Sequence, residues 1–153
     1  GEQAGKWARR VEREATVFKP FVFVSAKRVS VSPFIVRVKF NVPVGSLVLD
    51  TTTLALRTNY GFEYSDSSAS GITISSVALA SGTTDSVDIT LSGDPLAQTL
   101  PMISYAKTSK LSGWSGAPNG AYGTVRDEDT EVGVLSGSTL YNWALHWTLG
   151  VTS

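Results

Sequence analysis

The 153-residue chain contains no cysteine and only one histidine, His146. Without cysteine it can form neither a disulfide nor a thiolate metal site, and a cysteine nucleophile is excluded. No apolar run approaches the roughly 20 residues that a membrane-spanning helix needs, and the basic N-terminus is not followed by the apolar core of a signal peptide. Membrane insertion is therefore not expected.

The chain also lacks a net charge, because 13 basic residues balance 13 acidic ones. No global electrostatic field therefore favours nucleic acid or an anionic membrane as a partner. The charges are unevenly distributed: residues 1–39 hold nine basic and three acidic side chains, whereas residues 40–153 hold four basic and ten acidic ones. The simplest interpretation of the N-terminal excess is a helix and an edge strand whose charges are solvated.

At this length the chain is expected to form one domain with an appendage. The appendage is residues 1–19, where the helical spacing of apolar residues in "QAGKWARRVEREATVF" predicts an amphipathic helix of about four turns. No Ser, Thr, Asp or Asn precedes this helix as an N-cap, which suggests the tail of an upstream domain or a linker. The apolar positions are Ala4, Trp7, Ala8, Val11, Ala15 and Phe18.

Residues 20–153 are rich in β-branched and aromatic residues, and clusters of Gly, Ser, Asn, Asp and Pro divide them into short runs. About seven or eight such runs are typical of an immunoglobulin-like or carbohydrate-binding-module-like antiparallel β-sandwich, so the predicted fold is all-β with one N-terminal α-helix. In the last run Trp143, Leu145 and Trp147 alternate with more polar residues, which predicts that they face the core. The predicted strand runs are "FVFVSAKRVSVS", "FIVRVKFNVPV", "SLVLDTTTLALRTN", "GITISSVALAS", "SVDITLS", "MISYAKTS" and "LYNWALHWTL".

Catalytic alternatives find little support. A histidine-dependent mechanism must use His146, which is predicted to lie in mid-strand between Ala144 and Thr148. The segment "SGWSG" misses the nucleophile pattern G-x-S-x-G by one residue. The run "DEDTE" offers paired carboxylates, but neighbours in one loop rarely span a glycosidase cleft. We therefore expect no catalytic residue, no cofactor, and no hydrolysis of acetyl or aryl esters or of glycosides by the isolated chain.

The same acidic run leaves a calcium site as an alternative. Calcium takes six to eight oxygen ligands, and Asp127, Glu128, Asp129 and Glu131 could supply several. Their spacing is not that of an EF-hand loop, however. The favoured interpretation is that Arg126 and Asp127 pair and brace the loop while the other acids face water, with no metal site.

A sugar-binding surface is predicted on the loop from Trp114 to Asp129 together with the near end of the last strand. Aromatic rings stack on the apolar faces of pyranose rings, and planar polar side chains bind hydroxyl groups. Trp114 and Tyr122 lie in a stretch rich in Gly, Ser, Pro and Asn, either as stacking platforms or as a lid over the core. Arg126, Asp127 and Asn142 would bind hydroxyls or position the loop, and a structural role is favoured for the first two.

The last third of the chain resembles a particular kind of domain. The segments "ISYAKTSK", "NGAYGTVRDED" and "LYNWALHW" are similar to the closing portion of the β-sandwich domain that follows SGNH-type hydrolase or other glycan-acting domains in phage tail fibres and tailspikes. A pattern like Y-A…G-x-L-R-D…L-Y-N-W recurs there, and Val125 stands in the position of its Leu. Upstream runs fit the same kind of domain, so the resemblance spans residues 20–149.

This resemblance implies an accessory role in a virion tail or outside the cell. The domain would hold a glycan for a neighbouring esterase or depolymerase, or it would help a fibre or capsid to assemble, for example as a trimer. In the second case Trp7 and Val11 are candidates for a buried subunit interface. "GEQAGKWARRV" is also similar to the last helix of an SGNH hydrolase, but the chain has neither the Asp-x-x-His motif nor the Gly-Asp-Ser block of that family. A third alternative is therefore a fragment of an SGNH-type esterase whose catalytic residues lie in the upstream hydrolase domain.

Overall fold

A computed structural model of the chain describes residues 1–15, 17, 19–54, 56–108 and 122–153. They form a mainly β protein of antiparallel sheets with one N-terminal helix, an arrangement consistent with a β-sandwich. The helix α1 spans Glu2–Arg13. The strands are β1 (Val22–Val31), β2 (Phe34–Asn41), β3 (Val48–Leu49), β4 (Phe62–Ser65), β5 (Ile74–Leu79), β6 (Ser86–Leu91), β7 (Met102–Tyr105), β8 (Val125–Arg126) and β9 (Trp147–Gly150).

The strands are arranged in three sheets. The first has the order β1-β2-β6-β5, the second β4-β7-β9, and a small third sheet pairs β3 with β8. The C-terminal residues run beside the edge of the first sheet, because Arg28 donates its N–H to the carbonyl of Thr152 at 2.8 Å and Thr152 donates to the carbonyl of Ala26 at 3.0 Å. The chain end thereby connects the first sheet to the second, of which β9 is a member.

The alternation in "FIVRVKFNVPV" is reproduced in β2. Val36, Val38 and Phe40 are buried, as expected for every second residue of a strand. Arg37 lies on the opposite face, where its Nε is 2.7 Å from Oδ1 of Asp88, its register partner on β6. A run of period two therefore sets both the core face and the cross-strand ion pair of this sheet.

Aromatic rings fill the core between the two larger sheets. Phe23 and Phe40 meet with their ring centroids 4.6 Å apart, and Phe62 and Tyr105 with theirs 5.2 Å apart. Tyr105 is fully buried, and its hydroxyl accepts a hydrogen bond from the N–H of Val125 at 3.0 Å. The ring can reach that position because residue 123 is glycine: a Cβ there would lie 2.3 Å from Tyr105.

The helix is shorter than predicted. Its regular structure ends at Arg13, and Ala15 has a φ of 50°, a left-handed conformation that interrupts the helical repeat. The charged face of α1 packs against the segment from Asp129 to Asn142: Lys6 is buried there, whereas Val11 on the apolar face is exposed. Within the described ranges, no helix combines the length and apolar character that crossing a membrane requires.

The prediction of a long last strand with a Trp-rich core face is wrong. Only Trp147–Gly150 form a strand, and Leu145 and Trp147 are 54% and 42% exposed. The preceding backbone cannot keep a regular pleat, because Ala144 donates to the carbonyl of Val125 in β8 whereas Leu145 donates to the carbonyl of Phe21, the residue before β1. The run "SLVLDTTTLALRTN" is also mostly irregular after Leu49, because the carboxylate of Asp50 accepts the N–H groups of Thr52 and Thr53 in a turn.

Candidate functional site

Three of the five predicted sugar-binding residues come together in the structure. Arg126 ends β8, Asp127 follows it, and Asn142 lies alongside, with the N–H of Asp127 donating to the carbonyl of Asn142 at 3.1 Å. Tyr122 lies elsewhere, against the guanidinium of Arg57. Trp114 lies outside the described residues. The predicted site is therefore reduced to a cluster around β8 and a separate aromatic residue.

Asp127 is a structural carboxylate. It is fully buried, and its oxygens accept hydrogen bonds from the N–H groups of Val44 and Asp129, each at 3.1 Å, and from Nδ2 of Asn142 at 2.8 Å. A carboxylate that accepts several N–H groups holds together the segments that supply them. Asp127 thus joins the loop before β3, the acidic run and the C-terminal segment.

The expected ion pair between Arg126 and Asp127 is not formed. The Nε of Arg126 is 2.6 Å from Oδ2 of Asp50, and its Nη1 donates only to the backbone carbonyl of Asp127. Burial raises the pKa of Asp50, but hydrogen bonds from Arg126 and Thr53 outweigh burial and lower this pKa to about 2. The predicted pair is not formed because the carboxylate of Asp127 is buried and accepts from Val44, Asp129 and Asn142 instead.

The expectation that the other acidic side chains face water holds for Glu128, which is exposed, but not for Asp129. Asp129 is buried and pairs with Nζ of Lys6 at 3.0 Å and with Nη1 of Arg10 at 2.7 Å. Glu131 accepts from Arg9 and Arg10, and Glu128 accepts the N–H of Ser46 at 2.8 Å. Across the described residues, no group of three His, Asp or Glu side chains has the arrangement of a metal site.

Lys6 and Asn142 complete this network, which we call the helix clamp (Lys6, Arg10, Asp127, Asp129 and Asn142). The ammonium of Lys6 donates to Oδ1 of Asn142 at 2.8 Å and to the carbonyl of Leu140. Nδ2 of Asn142 donates in turn to Asp129 at 3.1 Å. Asn142 is thus buried with its amide fully engaged, which supports positioning rather than direct contact with a ligand.

An apolar groove lies beside the helix clamp. We call it the aromatic groove; its volume is about 320 Å³, and it opens between α1 and the C-terminal segment. Tyr141 and Trp143 meet edge to face there, with centroids 6.1 Å apart, and the guanidinium of Arg126 lies 4.0 Å from the centroid of Tyr141. The residues that define the groove are Gln3, Trp7, Lys19, Tyr141, Trp143 and Leu145.

A second cavity, of about 490 Å³, lies on the second sheet near Tyr122. We call it the polar cleft; its lining mixes charged, amide and hydroxyl groups with an apolar floor that includes Phe62 and Ile74. Arg57 connects it to Tyr122, because the guanidinium lies 5.1 Å from the centroid of that ring. The residues that define the cleft are Arg57, Thr58, Asn59, Glu63, Thr73 and Thr108.

His146 belongs to neither cavity. Its Nδ1 lies 3.1 Å from the carbonyl oxygen of Ala106, so the ring is anchored to the backbone of the second sheet. The residue precedes β9 instead of lying within a strand.

The sequence pattern missed two residues of the region around the helix clamp and the groove. The pattern of charges predicts that Lys6 is solvated, and the resemblance makes Trp7 a candidate for a subunit interface and not for a groove. One signal was present in the sequence: Trp7 is a large aromatic side chain in a short helix, and such a side chain can form one wall of a groove. The position of that wall depends on contacts between residues more than 120 positions apart in sequence, such as Lys6 with Asp129.

Comparison of the chain with protein-family models, with curated proteins and with solved structures finds no match in any of the three.

Proposed function

We propose that this chain is a non-catalytic accessory module that binds carbohydrate in the aromatic groove. The observation that carries the proposal is the convergence of Trp7, Tyr141 and Trp143 on one groove. Aromatic rings offer the flat apolar faces on which pyranose rings stack, and Gln3 and Lys19 supply donors at the rim.

The cluster around β8 supports this role by holding the groove in shape. The guanidinium of Arg126 lies over the ring of Tyr141, and Asp50 accepts a hydrogen bond from Nε of Arg126. The helix clamp holds α1, and with it Trp7, beside the groove. A groove with pre-positioned rings loses less side-chain entropy on binding than a flexible one. Arg126, Asp127 and Asn142 are therefore positioning residues in this proposal, and Trp7, Tyr141 and Trp143 are the contact residues.

The expected affinity is modest. Sugar hydroxyls compete with water for every hydrogen bond, so most of the net free energy comes from stacking. One module should bind in the millimolar to micromolar range, about −4 to −8 kcal/mol. The proposal extends to an immunoglobulin-like or carbohydrate-binding-module-like fold type and to a place in a phage tail fibre, a tailspike or a secreted glycan-acting enzyme, as the resemblance of the sequence implies.

The test compares two Trp to Ala variants. Neutral gluco-, galacto- and N-acetylglucosamine oligosaccharides are titrated by calorimetry and tryptophan fluorescence against the wild type, Trp143→Ala and Trp147→Ala. Trp147 is the matched control, because it is exposed and does not line the groove. We expect Trp143→Ala to weaken binding about tenfold or more and Trp147→Ala to bind as the wild type does. Equal binding by wild type and Trp143→Ala, both folded by circular dichroism, would refute the proposal.

A structural or oligomerisation domain of a virion fibre is the second candidate. The observation that favours it is the exposure of apolar side chains in two places. Val134 and Leu135, at the tip of the turn between Val132 and Thr139, are 97% and 91% exposed. Val11 on α1 is exposed as well. Contiguous exposed apolar residues are typical of surfaces that meet a partner.

A further inference from the structure

The polar cleft contains an arginine, Arg57, that forms no salt bridge with any carboxylate in the part of the chain that the structure describes. The chain has seven arginines, and five of them pair with Asp or Glu: Arg9, Arg10, Arg28, Arg37 and Arg126. Among the described residues, no carboxylate lies within ion-pair distance of Arg57 or of Arg13 at the end of α1. Arg57 is partly buried at the cleft, so a guanidinium that no described carboxylate engages in a salt bridge is placed where a small ligand can reach it.

Arg57 is also held in place. Its Nη2 donates to the carbonyl of Thr108 at 2.7 Å, and its plane lies over the ring of Tyr122. A guanidinium has five N–H donors, so donors remain after this bond. Paired N–H groups in one plane match the two oxygens of a carboxylate, and an immobilised fork loses little entropy when it binds one.

The other polar groups of the cleft complement a carboxylate that carries hydroxyls. Glu63 is the acidic residue of the lining, and both its oxygens are engaged by Thr108, at 2.8 Å from the backbone N and 2.5 Å from Oγ1. Thr58 and Thr73 add hydroxyl groups, and Asn59 adds an amide. These neutral groups donate and accept, which is what sugar hydroxyls require.

The backbone that shapes the cleft is strained. Asn59, Tyr60 and Gly61 have φ values of 52°, 56° and 93° in succession. Two hydrogen bonds of 2.9 Å fix the segment. The N–H of Thr124 donates to the carbonyl of Tyr60, and the N–H of Ala106 donates to the carbonyl of Gly61. Residues held in left-handed conformations by their surroundings cluster at ligand sites. Here they turn the chain so that Arg57 and Glu63 line the same cavity.

We propose that the polar cleft is a second binding site, specific for a carboxylate flanked by hydroxyl groups, as in a uronic acid residue of an acidic glycan. The carboxylate binds the fork of Arg57, and the hydroxyls bind the amide and hydroxyl groups around Asn59. The cavity lies within the range of small-molecule sites, about 300–1,000 Å³. The sugar nature of the ligand rests on the proposed function, whereas carboxylate recognition rests on Arg57, and the cleft shares no residue with the aromatic groove.

The first experiment maps the site on the wild-type protein. D-glucuronate, D-glucose and acetate are titrated at constant ionic strength into ¹⁵N-labelled protein, and the backbone and Arg Nε–H resonances are followed. We expect glucuronate to shift the backbone resonances of residues 57–63 and the Nε–H resonance of Arg57. Glucuronate should bind at least about tenfold more tightly than glucose, which lacks the carboxylate, and than acetate, which lacks the hydroxyls. Added salt should weaken glucuronate binding.

The second experiment uses matched variants. Arg57→Gln should weaken glucuronate binding about tenfold or more, whereas Arg13→Gln, which removes the other arginine without an ion pair, should not change it. Glycine adopts a left-handed backbone with less conformational strain than asparagine, so Asn59→Gly should fold at least as well as the wild type. It should bind glucuronate more weakly, because it lacks the amide group that binds the hydroxyls. This variant decides the matter if Arg57→Gln does not fold.

The second site would be overturned if the wild type bound glucuronate and glucose with equal affinity. It would also be overturned if a folded Arg57→Gln or Asn59→Gly bound glucuronate as tightly as the wild type. Glucuronate shifts confined to residues 141–145 would overturn it as well, and would instead assign the acidic sugar to the aromatic groove. The groove proposal fails by a different result: Trp143→Ala keeps its affinity for neutral oligosaccharides. In that case glucuronate still shifts the resonances of Arg57, so the two failures are distinguishable.

Discussion

At the scale of the residue, small side chains determine how closely the segments around the two cavities approach. Gly61 and Gly123 lie against each other, since a Cβ at position 61 would be 2.6 Å from the Cα of Gly123. Gly123 also lies against the ring of Tyr105, whose hydroxyl accepts the N–H of Val125. This approach brings β8, and with it Arg126 and Asp127, onto the second sheet.

We therefore expect Gly123→Ala to destabilise the protein by about 1–3 kcal/mol, because the added methyl group must displace the buried ring of Tyr105. Gly5→Ala is the control: the site lies in α1 with no atom within 4 Å of the new Cβ, and alanine favours a helix by about 1 kcal/mol. Urea unfolding of both variants measures the two changes in free energy. A neutral Gly123→Ala would show that Tyr105 can move at no cost.

At the scale of the element, the charges of α1 attach it to the segment that follows β8. Lys6 is buried among Asp129, Asn142 and the carbonyl of Leu140, so its charge is compensated on every side that the structure describes. Burial raises the pKa of Asp129, but Arg10, the N–H of Glu131 and Lys6 outweigh burial and lower this pKa to about 2. The folded protein therefore favours the ionised carboxylate.

Asp129→Asn should cost about 3–5 kcal/mol at pH 6, because it leaves the ammonium of Lys6 buried without its counter-charge. Lys6→Met should cost less, since Asp129 keeps its two bonds to Arg10, at 2.7 and 3.1 Å. Asp129→Asn keeps the length of the side chain, and Lys6→Met keeps an unbranched side chain that is one heavy atom shorter. Urea unfolding compares the two variants. If Lys6→Met proves the more damaging of the two, the clamp is not organised around Asp129.

Acid should weaken the wild type through the same carboxylate. Because the folded pKa of Asp129, about 2, lies below the ordinary value of about 3.9, its ionised form stabilises the fold by about 2 kcal/mol above pH 5. This contribution is lost as the pH falls from about 5 to 2. The difference in unfolding free energy between wild type and Asp129→Asn should therefore shrink over that range, and a constant difference would contradict the assignment.

At the scale of the whole molecule, apolar side chains remain on the outside. Val11, Val134 and Leu135 are exposed, and α1 separates the aromatic groove from the turn that carries the last two. If the chain assembles into a fibre, these surfaces are where copies would meet.

Light scattering after size exclusion tests assembly. A binding module is expected to elute as a monomer at low micromolar concentration, whereas a fibre component should be an oligomer that Val134→Ser and Leu135→Ser dissociate. Thr130→Ser, a change in the same acidic segment that leaves the apolar tip intact, is the control. A monomer at that concentration would count against the assembly role, and an oligomer would count against a purely monomeric module.

Much of the framework was determined by the sequence alone. The alternation in β2 and β6 requires one buried face, so the antiparallel sheets and their core follow from local periodicity. The amphipathic period predicted a helix before the strands, although not its end at Arg13. Arg126, Asp127 and Asn142 belong to the one region that the acidic run and the neighbouring aromatic segment indicated, and they lie together in the structure, whereas Tyr122 lies against Arg57.

Only the tertiary structure decided what those residues do. Asp127 and Asn142 are buried because groups distant in sequence, Lys6 and Val44, complete their hydrogen bonds, and Asn142 occupies an inward position that periodicity would assign to its apolar neighbours. Arg126 pairs with Asp50, 76 residues away, and not with the adjacent Asp127. Periodicity reports which face of a segment is apolar, whereas the partner of a buried charge depends on which distant segment folds against it, and that information is not local.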